Sequence, residues 1–324
     1  MKKIRAVVLS LTIFTFLFAS INLVQAAYPE KPIEFIIPFG AGGGADIEGR
    51  LLAKEMSKIL GVPVVAINKP GAGGAVTYTY VKNAKPDGYT VAWNSTSILT
   101  VTNIGNVPYG HDAMTHVGRV EYQPMVFAVK SGGKWNSMKD FEADCKKNPN
   151  SLKVGNSSIG SATHIGAIAV ANAIGCDVIH VPLGIKRRNA GLLSGETDAM
   201  IAPLTGAIKL AKAKKIMILS HLSAGTNPVV PDVPSMKSLG YDAELDLFRG
   251  LSVPKGTPAE VTAKLSDAMG KAAQSSAFMD MAKKNGFTVA PMDVATFEDY
   301  LERDNKVVKA IMEVAGLYQS KAKK

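Results

Sequence analysis

The sequence predicts an α/β fold made of two units of alternating strands and helices, followed by a helical tail. Three observations lead to this prediction. Short apolar runs typical of buried strands alternate with segments whose apolar residues recur at helical spacing. Glycine-rich loops stand where strands pass into helices. The 324 residues are 47% hydrophobic and 20% charged, a globular composition, and at about 100–200 residues per domain they suffice for two domains.

The first unit has the order β-α-β-α-β, which implies a parallel sheet with right-handed crossovers. Its predicted elements are strands at 33–39, 62–67 and 89–93 and helices at 47–60 and 75–84. In the first helix the apolar residues fall on one predicted face: Ile47, Leu51, Leu52, Met56, Ile59 and Leu60. Gly61 ends this helix, and the Pro-Asp-Gly sequence at 86–88 is a turn.

The second unit repeats the alternation. Its predicted elements, with the strands that flank it, are strands at 125–130, 152–155, 178–181, 198–202, 216–222 and 247–253 and helices at 161–174, 188–193 and 205–213. Three prolines between 228 and 234 indicate a long surface loop, and Pro258 opens the helical C-terminal region.

The flanking strands at 125–130 and 247–253 suggest a discontinuous organisation. If both strands cross between domains, the first domain comprises 28–127 plus 250–324 and the second comprises 128–249. A ligand would then lie in the cleft between them, at the carboxyl ends of both sheets.

The first 26 residues have the pattern of a secretory signal peptide. Lys2, Lys3 and Arg5 precede an apolar run at 6–18, and small residues at 24–26 provide a cleavage site after residue 26 or 27. A membrane anchor is the alternative, but polar residues interrupt the apolar run before it reaches spanning length. We therefore expect a cleaved, exported protein.

The remaining chain is basic. It has 34 basic and 27 acidic residues, a formal net charge of +7, and its lysines and arginines are scattered. A solvated basic surface is the favoured interpretation, and attraction of anionic ligands is the alternative. Nucleic acid is not an expected partner, because aromatic residues make up only 7% of the chain and base stacking needs them.

Two cysteines occur, Cys145 and Cys176. Export to an oxidising compartment permits a disulfide between them. The sequence does not supply the separation of their Cα atoms, so pairing and free thiols both stay open.

The glycine-rich loop at 40–46 is the most informative motif. Its spacing formally fits the dinucleotide fingerprint G-x-G-x-x-G/A. The acidic residue that this fingerprint needs after the second strand is missing, because Asn68-Lys69-Pro70 stands there, and no Gly-Lys-Ser/Thr follows the loop. A second glycine loop at 71–74 repeats the design. Backbone N–H groups and helix N-termini in such loops form an anion site without a cationic side chain.

A third strand-to-helix loop at 155–164 is rich in hydroxyl groups. Ser161 or Thr163 either caps the helix or binds a ligand, and His164 is interpreted as structural or polar lining. In the first loop Asp46 either caps its helix or orients ligand or water. Arg50 is expected at the surface or beside a carboxylate.

Catalytic motifs are absent from the sequence. There is no nucleophile elbow, no His-Glu-x-x-His and no metal-ligand spacing among the five histidines. We therefore expect no enzyme activity, no cofactor and no bound metal.

The motifs in this order resemble the periplasmic substrate-binding proteins of tripartite tricarboxylate transporters, the Bug or TctC-like family. The matching stretches are 28–33, 38–46, 68–74, 86–89, 160–161 with His164, 193–198, 231–234 and 250–258. The resemblance covers essentially the whole chain after the signal peptide. It implies a two-domain, type 2 Venus-flytrap binding protein with hinge strands between its lobes.

The resemblance also implies a function and a site. The ligand would be a small organic carboxylate, bound mainly by backbone amides and delivered by a monomeric receptor to membrane permease subunits. A receptor that signals to a sensor kinase is the main alternative, and an exported enzyme is the lesser one. The implied ligand-binding residues are Phe39, Ala41, Gly42, Gly43, Gly44, Asp46, Gly71, Ala72, Gly73, Gly74, Ser157, Ser158, Gly160, Ser161, Thr163, His164, Ala202 and Thr205.

The chain departs from the family pattern at 181–188. The family usually has Val-Pro-Tyr-Lys-Gly here, whereas this chain has Val-Pro-Leu-Gly-Ile-Lys-Arg-Arg. Lys186, Arg187 or Arg188 would pair with a distal carboxylate, or the three form a solvated basic run, which is the favoured interpretation.

Overall fold

The computed structural model describes residues 28–322, without the side chains of Ile185 and Lys186. From Lys31 onward the chain forms one compact unit. The predicted signal peptide, 1–26, lies outside the described residues. Within 28–322, no helix has the length and apolar character that crossing a bilayer requires.

Ten strands of the described chain form one mixed sheet. They are β1 (Ile33–Ile37), β2 (Val64–Asn68), β3 (Thr90–Ser95), β4 (Met114–Lys130), β5 (Lys153–Asn156), β6 (Ile179–Pro182), β7 (Ala199–Pro203), β8 (Ile216–His221), β9 (Asp246–Pro254) and β10 (Thr288–Met292). Every strand predicted from the sequence is present. The additional strand, β10, interrupts the C-terminal region that was expected to be helical throughout.

Ten helices of the described chain pack around this sheet. They are α1 (Gly44–Leu60), α2 (Ala75–Lys82), α3 (Ser97–Asn103), α4 (Met138–Lys147), α5 (Ala162–Ile174), α6 (Gly184–Ser194), α7 (Leu204–Lys212), α8 (Ala259–Ala273), α9 (Ser276–Asn285) and α10 (Val294–Val314). Short 3₁₀ turns occur at Ala72–Gly74, His111–Ala113 and Lys237–Leu239.

The strand order β2-β1-β3-β9-β4-β7-β5-β6 divides the sheet into two halves that share β4. In the first half, β1 pairs in parallel with β2 and β3, and β9 runs antiparallel between β3 and β4. In the second half, β5 pairs in parallel with β6 and β7, and β7 and β8 pair antiparallel with the C-terminal part of β4. The predicted boundaries at 127, 128, 249 and 250 stay a prediction.

The long strand β4 connects the halves. Its N-terminal part, from Met114 to Pro124, pairs with β9, and its C-terminal part, from Met125, pairs with β7. Both strands are buried almost throughout, so they form the structural axis between the halves. Only 125–130 of β4 was expected from the sequence.

Helix α1 begins and ends as expected, but its buried face differs from the predicted one. Gly61 takes the left-handed conformation with φ +73° and donates its N–H to the carbonyl of Ser57, as a C-terminal cap does. Ile47 and Ile59 are exposed. Instead Gly49 faces the sheet, where a Cβ would lie 3.0 Å from the Trp93 ring. Leu52 and Met56 of the predicted face are buried as expected, and Glu48 is buried with them.

A disulfide links Cys145, near the end of α4, to Cys176, just after α5, with 6.2 Å between the Cα atoms. This resolves the alternative that the sequence left open. The bridge joins two cysteines that are 31 residues apart in sequence. It connects two helical segments of the second half. Nearby, Phe141 packs edge-on against Phe127, with ring centroids 4.8 Å apart.

Two carboxyl groups with raised pKa values lie near the start of β9. Burial raises the pKa of Asp246 to about 6 and that of Asp304 on α10 to about 7. The negative charge of Asp246 raises the pKa of Asp304 further, while the positive charge of Arg119 lowers both. Ser223 donates its hydroxyl hydrogen to Asp246, but Oδ2 of Asp304 is buried without a hydrogen-bond partner.

We expect Asp304→Asn to raise the free energy of unfolding by about 4 kcal/mol at pH 8 and to change it little at pH 4. An unfolded aspartate titrates near 3.8, whereas folded Asp304 titrates near 7, so the wild type loses stability as the pH rises between these values. Urea unfolding at pH 4, 6 and 8 measures this. Asp267→Asn, at an exposed ion pair with Lys271, is the control. An equal effect of Asp304→Asn at all three pH values would contradict the prediction.

Candidate functional site

A cavity of about 250 Å³ lies between the two halves of the sheet. Both halves line it: Pro38, Phe39, Gly40, Gly43, Gly44, Ala45, Pro70, Gly71, Ala72, Gly73, Gly74, Ser95, Ser97, Leu247 and Arg249 from the first, and Ser157, Ser158, Ser161, Ala162, Thr163, Arg188, Pro203, Thr205 and Gly206 from the second. No aspartate or glutamate is among these residues. The lining therefore offers amides, hydroxyls, apolar surface and two guanidinium groups.

The first glycine loop presents N–H groups at the start of α1. Gly43 is the N-cap residue, in an extended conformation with φ −81°. Asp46 and Ile47 donate their N–H groups to the Gly43 carbonyl, whereas those of Gly44 and Ala45 have no protein acceptor among the described residues. These two donors and the N-terminal end of a 17-residue helix favour an anion in the cavity.

Asp46 anchors this loop from behind. It is not the N-cap residue, and it does not line the cavity. Its Oδ2 accepts the Gly42 N–H at 2.9 Å, and its Oδ1 lies 2.8 Å from both Nε of Arg50 and Nδ2 of Asn68. Burial raises its pKa, but these hydrogen bonds and the charge of Arg50 outweigh burial, so the pKa lies below its usual value. Asp46 is therefore an ionised structural anchor.

The second glycine loop needs its glycines for conformation and for space. Gly73 and Gly74 have φ values of +71° and +115°, which side chains rarely adopt. A Cβ on Gly74 would lie 2.8 Å from the Tyr78 ring. Gly74 donates its N–H to the Gly71 carbonyl, and the N–H groups of Ala72 and Gly73 have no protein acceptor among the described residues. The loop thus adds free donors beside the first.

The third loop is held by its own side chains. Ser161 caps α5, since its hydroxyl oxygen accepts the N–H of His164, and Oγ1 of Thr163 accepts the N–H of Ser157 at 2.9 Å. The Gly160 N–H donates to Nδ1 of His164 at 3.0 Å. Burial lowers the pKa of His164 to about 4, so the ring is neutral. His164 therefore shapes the loop, and it does not line the cavity.

The position of Arg188 on α6 contradicts the favoured interpretation of residues 186–188 as a solvated basic run. It is only 2% exposed and lines the cavity, where Nη1 donates to Oγ of Ser157 at 2.8 Å. Arg187, by contrast, is exposed and pairs with Glu196 at 2.8 Å, as a solvated residue would. The side chain of Lys186 lies outside the described part. A sequence alone cannot tell which residue of such a run turns inward.

A buried charge network underlies the cavity, and the sequence did not predict it. Nε of Arg249 on β9 lies 3.1 Å from Oε2 of Glu48 on α1, and both side chains are at most 6% exposed. Glu121 on β4 is fully buried beside them. Burial, followed by the charge of Glu48, raises the pKa of Glu121 well above its usual range.

The same network reaches the second half through Gln123. Its Nε2 donates to Glu121 at 3.4 Å, and its Oε1 accepts the hydroxyl of Thr205 at 2.7 Å. Thr205 stands at the start of α7, where its Oγ1 would be 3.2 Å from a Cβ on Gly44. The network therefore links the first glycine loop, the axis strand and the second half.

The structure brings most of the predicted site residues together. Twelve line the cavity: Phe39, Gly43, Gly44, Gly71, Ala72, Gly73, Gly74, Ser157, Ser158, Ser161, Thr163 and Thr205. Six do not: Ala41, Gly42, Asp46, Gly160, His164 and Ala202. The prediction missed Arg249, although an arginine inside the apolar strand 247–253 is itself a signal of a buried charge.

Comparison with known proteins decides the family. The model of the tripartite tricarboxylate transporter family receptors, TctC, matches residues 49–317. The chain belongs to this family. The TctC-family resemblance given by the motifs is thereby confirmed, and so is the expectation of a solute-binding receptor and not an enzyme. Proteins of this family are periplasmic binding proteins.

Individual relatives agree with this TctC assignment. A UPF0065 protein of Bordetella pertussis is 28% identical over 308 residues, 90% of this chain and 95% of the relative. A TctC solute binding protein from Polaromonas, solved without ligand, is 31% identical with a TM-score of 0.74, over 88% of this chain and 99% of that chain. MatC from Rhodopseudomonas palustris with bound malate shares the fold at 24% identity and TM-score 0.79, over 88% and 99%.

Proposed function

We propose that this TctC-family protein is a periplasmic receptor that captures a small organic carboxylate in the cavity between the two halves. The observation that carries the proposal is the convergence of unpaired N–H donors from two glycine loops, and hydroxyl groups from a third loop, on one cavity lined by no acidic side chain. Such a site stabilises an anion by hydrogen bonds and helix dipoles. The cavity volume of about 250 Å³ suits a small molecule.

The proposed site comprises the twelve lining residues as direct contacts. Four of the other six expected residues act through the loops, since Asp46 fixes Gly42 and His164 fixes Gly160. Malate, which MatC binds, is a suitable first probe for a protein of this fold.

Capture would couple to closure of the two halves. They touch at the cavity, where a Cβ on Gly44 would lie 3.2 Å from Oγ1 of Thr205, and outside its lining, where a Cβ on Gly160 would meet Cδ1 of Ile104 at 2.5 Å. A ligand that contacts both halves binds the closed form more tightly and shifts the population towards it. The closed, monomeric receptor would then be recognised by the membrane permease subunits of a tripartite tricarboxylate transporter.

We expect Gly43→Val to weaken carboxylate binding at least about 100-fold and to leave the fold intact. The extended conformation of Gly43 accepts a β-branched residue, and its Cβ would meet only the Gly40 carbonyl at 3.6 Å, so the valine would occupy cavity space. Calorimetric titration with malate, adipate and citrate measures binding.

The matched control is Gly225→Val, in an exposed loop away from the cavity with no atom near its Cβ. Its affinity should equal that of the wild type. Equal carboxylate affinity for Gly43→Val and the wild type, or wild-type binding of NAD or ATP in place of carboxylates, would refute the proposed function.

A further inference from the structure

We propose that Arg188 binds a second carboxylate of the ligand, so that the receptor selects small dicarboxylates over monocarboxylates. This inference rests on the proposed function, and it names the class of ligand. It starts from the one charged group, among the described residues of the cavity wall, that has no counter-ion.

The guanidinium of Arg188 is buried without a charge partner. The side chain is 2% exposed, and no carboxylate of the described residues lies within 4 Å of it. Of its donors, Nη1 reaches Ser157, whereas Nε is buried without an acceptor. Burial lowers its pKa only to about 10, so it stays charged at neutral pH. A buried cation without a partner is unfavourable, because desolvation is not offset by an opposite charge.

The surroundings hold this cation in place against the cavity. Ser157 accepts one hydrogen bond, and Gly206 leaves room beside Nη2, where a Cβ would lie 2.9 Å away. The side-chain amide of the neighbouring Asn189 donates to the Gly206 carbonyl at 2.8 Å. The fold therefore keeps a guanidinium at the wall and supplies no anion to it from the described residues.

Arg188 and the glycine loops stand on different halves of the molecule. The free N–H groups of Gly44, Ala45, Ala72 and Gly73 belong to the first half, and Arg188 belongs to the second. A ligand with a carboxylate at each end would satisfy both, with its methylene groups against the apolar lining. Such a ligand neutralises Arg188 and at the same time binds the loops of the other half, so it favours closure more than a monocarboxylate that occupies one of the two sites.

The test is calorimetric titration of matched acids: succinate against butyrate, glutarate against pentanoate and adipate against hexanoate. For the best-fitting length, we expect the wild type to bind the dicarboxylate at least about 100-fold more tightly than its monocarboxylate partner. Arg188→Gln should lose most of this preference by weakening dicarboxylate binding, with monocarboxylate binding changed less than about threefold. Arg187→Gln, at the exposed pair with Glu196, is the matched control and should keep the preference.

Two outcomes overturn the inference and leave the proposed function standing. One is a wild type that binds both members of each pair equally. The other is an Arg188→Gln variant that weakens both equally, which would mean that Arg188 shares the loops' carboxylate or only supports the fold. Failure of the wild type to bind any carboxylate refutes the proposed function instead.

The melting temperature shows separately whether Arg188→Gln still folds. Arg188→Gln removes an unpaired buried charge, so its Tm without ligand should not fall below that of the wild type. If the Tm does fall, the binding experiment is made with Arg188→Lys, which keeps the charge. It should retain a dicarboxylate preference, reduced by up to about tenfold because an ammonium lacks the planar array of donors of a guanidinium, and equal binding of both acids by this variant would overturn the inference.

Discussion

Replacing Arg249 with leucine is expected to lower the free energy of unfolding by about 3–5 kcal/mol. The substitution leaves Glu48 as an uncompensated charge that is 1% exposed, directly beside Glu121. A buried charge without a partner costs stability, because its desolvation is no longer offset by an opposite charge. Guanidinium chloride unfolding at pH 7, followed by circular dichroism, measures the change.

Glu121→Gln is the matched comparison within the same network. Burial and the charge of Glu48 raise the pKa of Glu121 and so favour its protonated form, which glutamine resembles in shape and in having a donor and an acceptor. Glu121→Gln should lower the free energy of unfolding by less than about 1 kcal/mol. A small loss of unfolding free energy for Arg249→Leu, or a large loss for Glu121→Gln, would contradict this arrangement of charges in the network.

The second large effect is expected from the disulfide. The double substitution Cys145→Ala and Cys176→Ala should lower the free energy of unfolding by about 3–4 kcal/mol. The bridge joins residues 31 apart in sequence, and without it the unfolded chain regains the conformational freedom that the bridge removes. Both positions are buried, and alanine fills them without adding a polar group. The measurement is denaturant unfolding under oxidising conditions.

Dithiothreitol provides the control for this prediction. It should lower the stability of the wild type towards that of the double variant and leave the variant itself unchanged. A wild type whose stability does not respond to a reductant strong enough to open the bridge would contradict the assigned role of the disulfide.

The order of strands and helices was predictable because each signal is local. The buried parallel strand 33–37 is apolar at every position except Glu34, and the glycine that ends α1 stands directly after its last turn. The two glycine loops were found for the same reason, since their conformations are required by residues that are adjacent in sequence. These local signals located the cavity.

Other features depend on contacts between distant residues and therefore left no local signal. The helix α3 is buried on every side, so it lacks amphipathic spacing. The ion pair of Glu48 and Arg249 joins residues 201 apart, and only the assembled sheet brings them together. The inward turn of Arg188 likewise depends on the position of α6 against Ser157. Charges with distant partners are the part of this site that a pattern cannot supply.

The pairing of β3 with β9 sets a constraint on the order of folding. Asn94 and Ser252, hydrogen-bonded across this pair, are 158 residues apart. The edge of β3 consequently stays open until nearly the whole chain has emerged from the ribosome, and such long-range pairing is intrinsically slow. We expect the first half to mature last although it is made first. A chain held open in this way stays available for threading through a translocation channel before its structure closes.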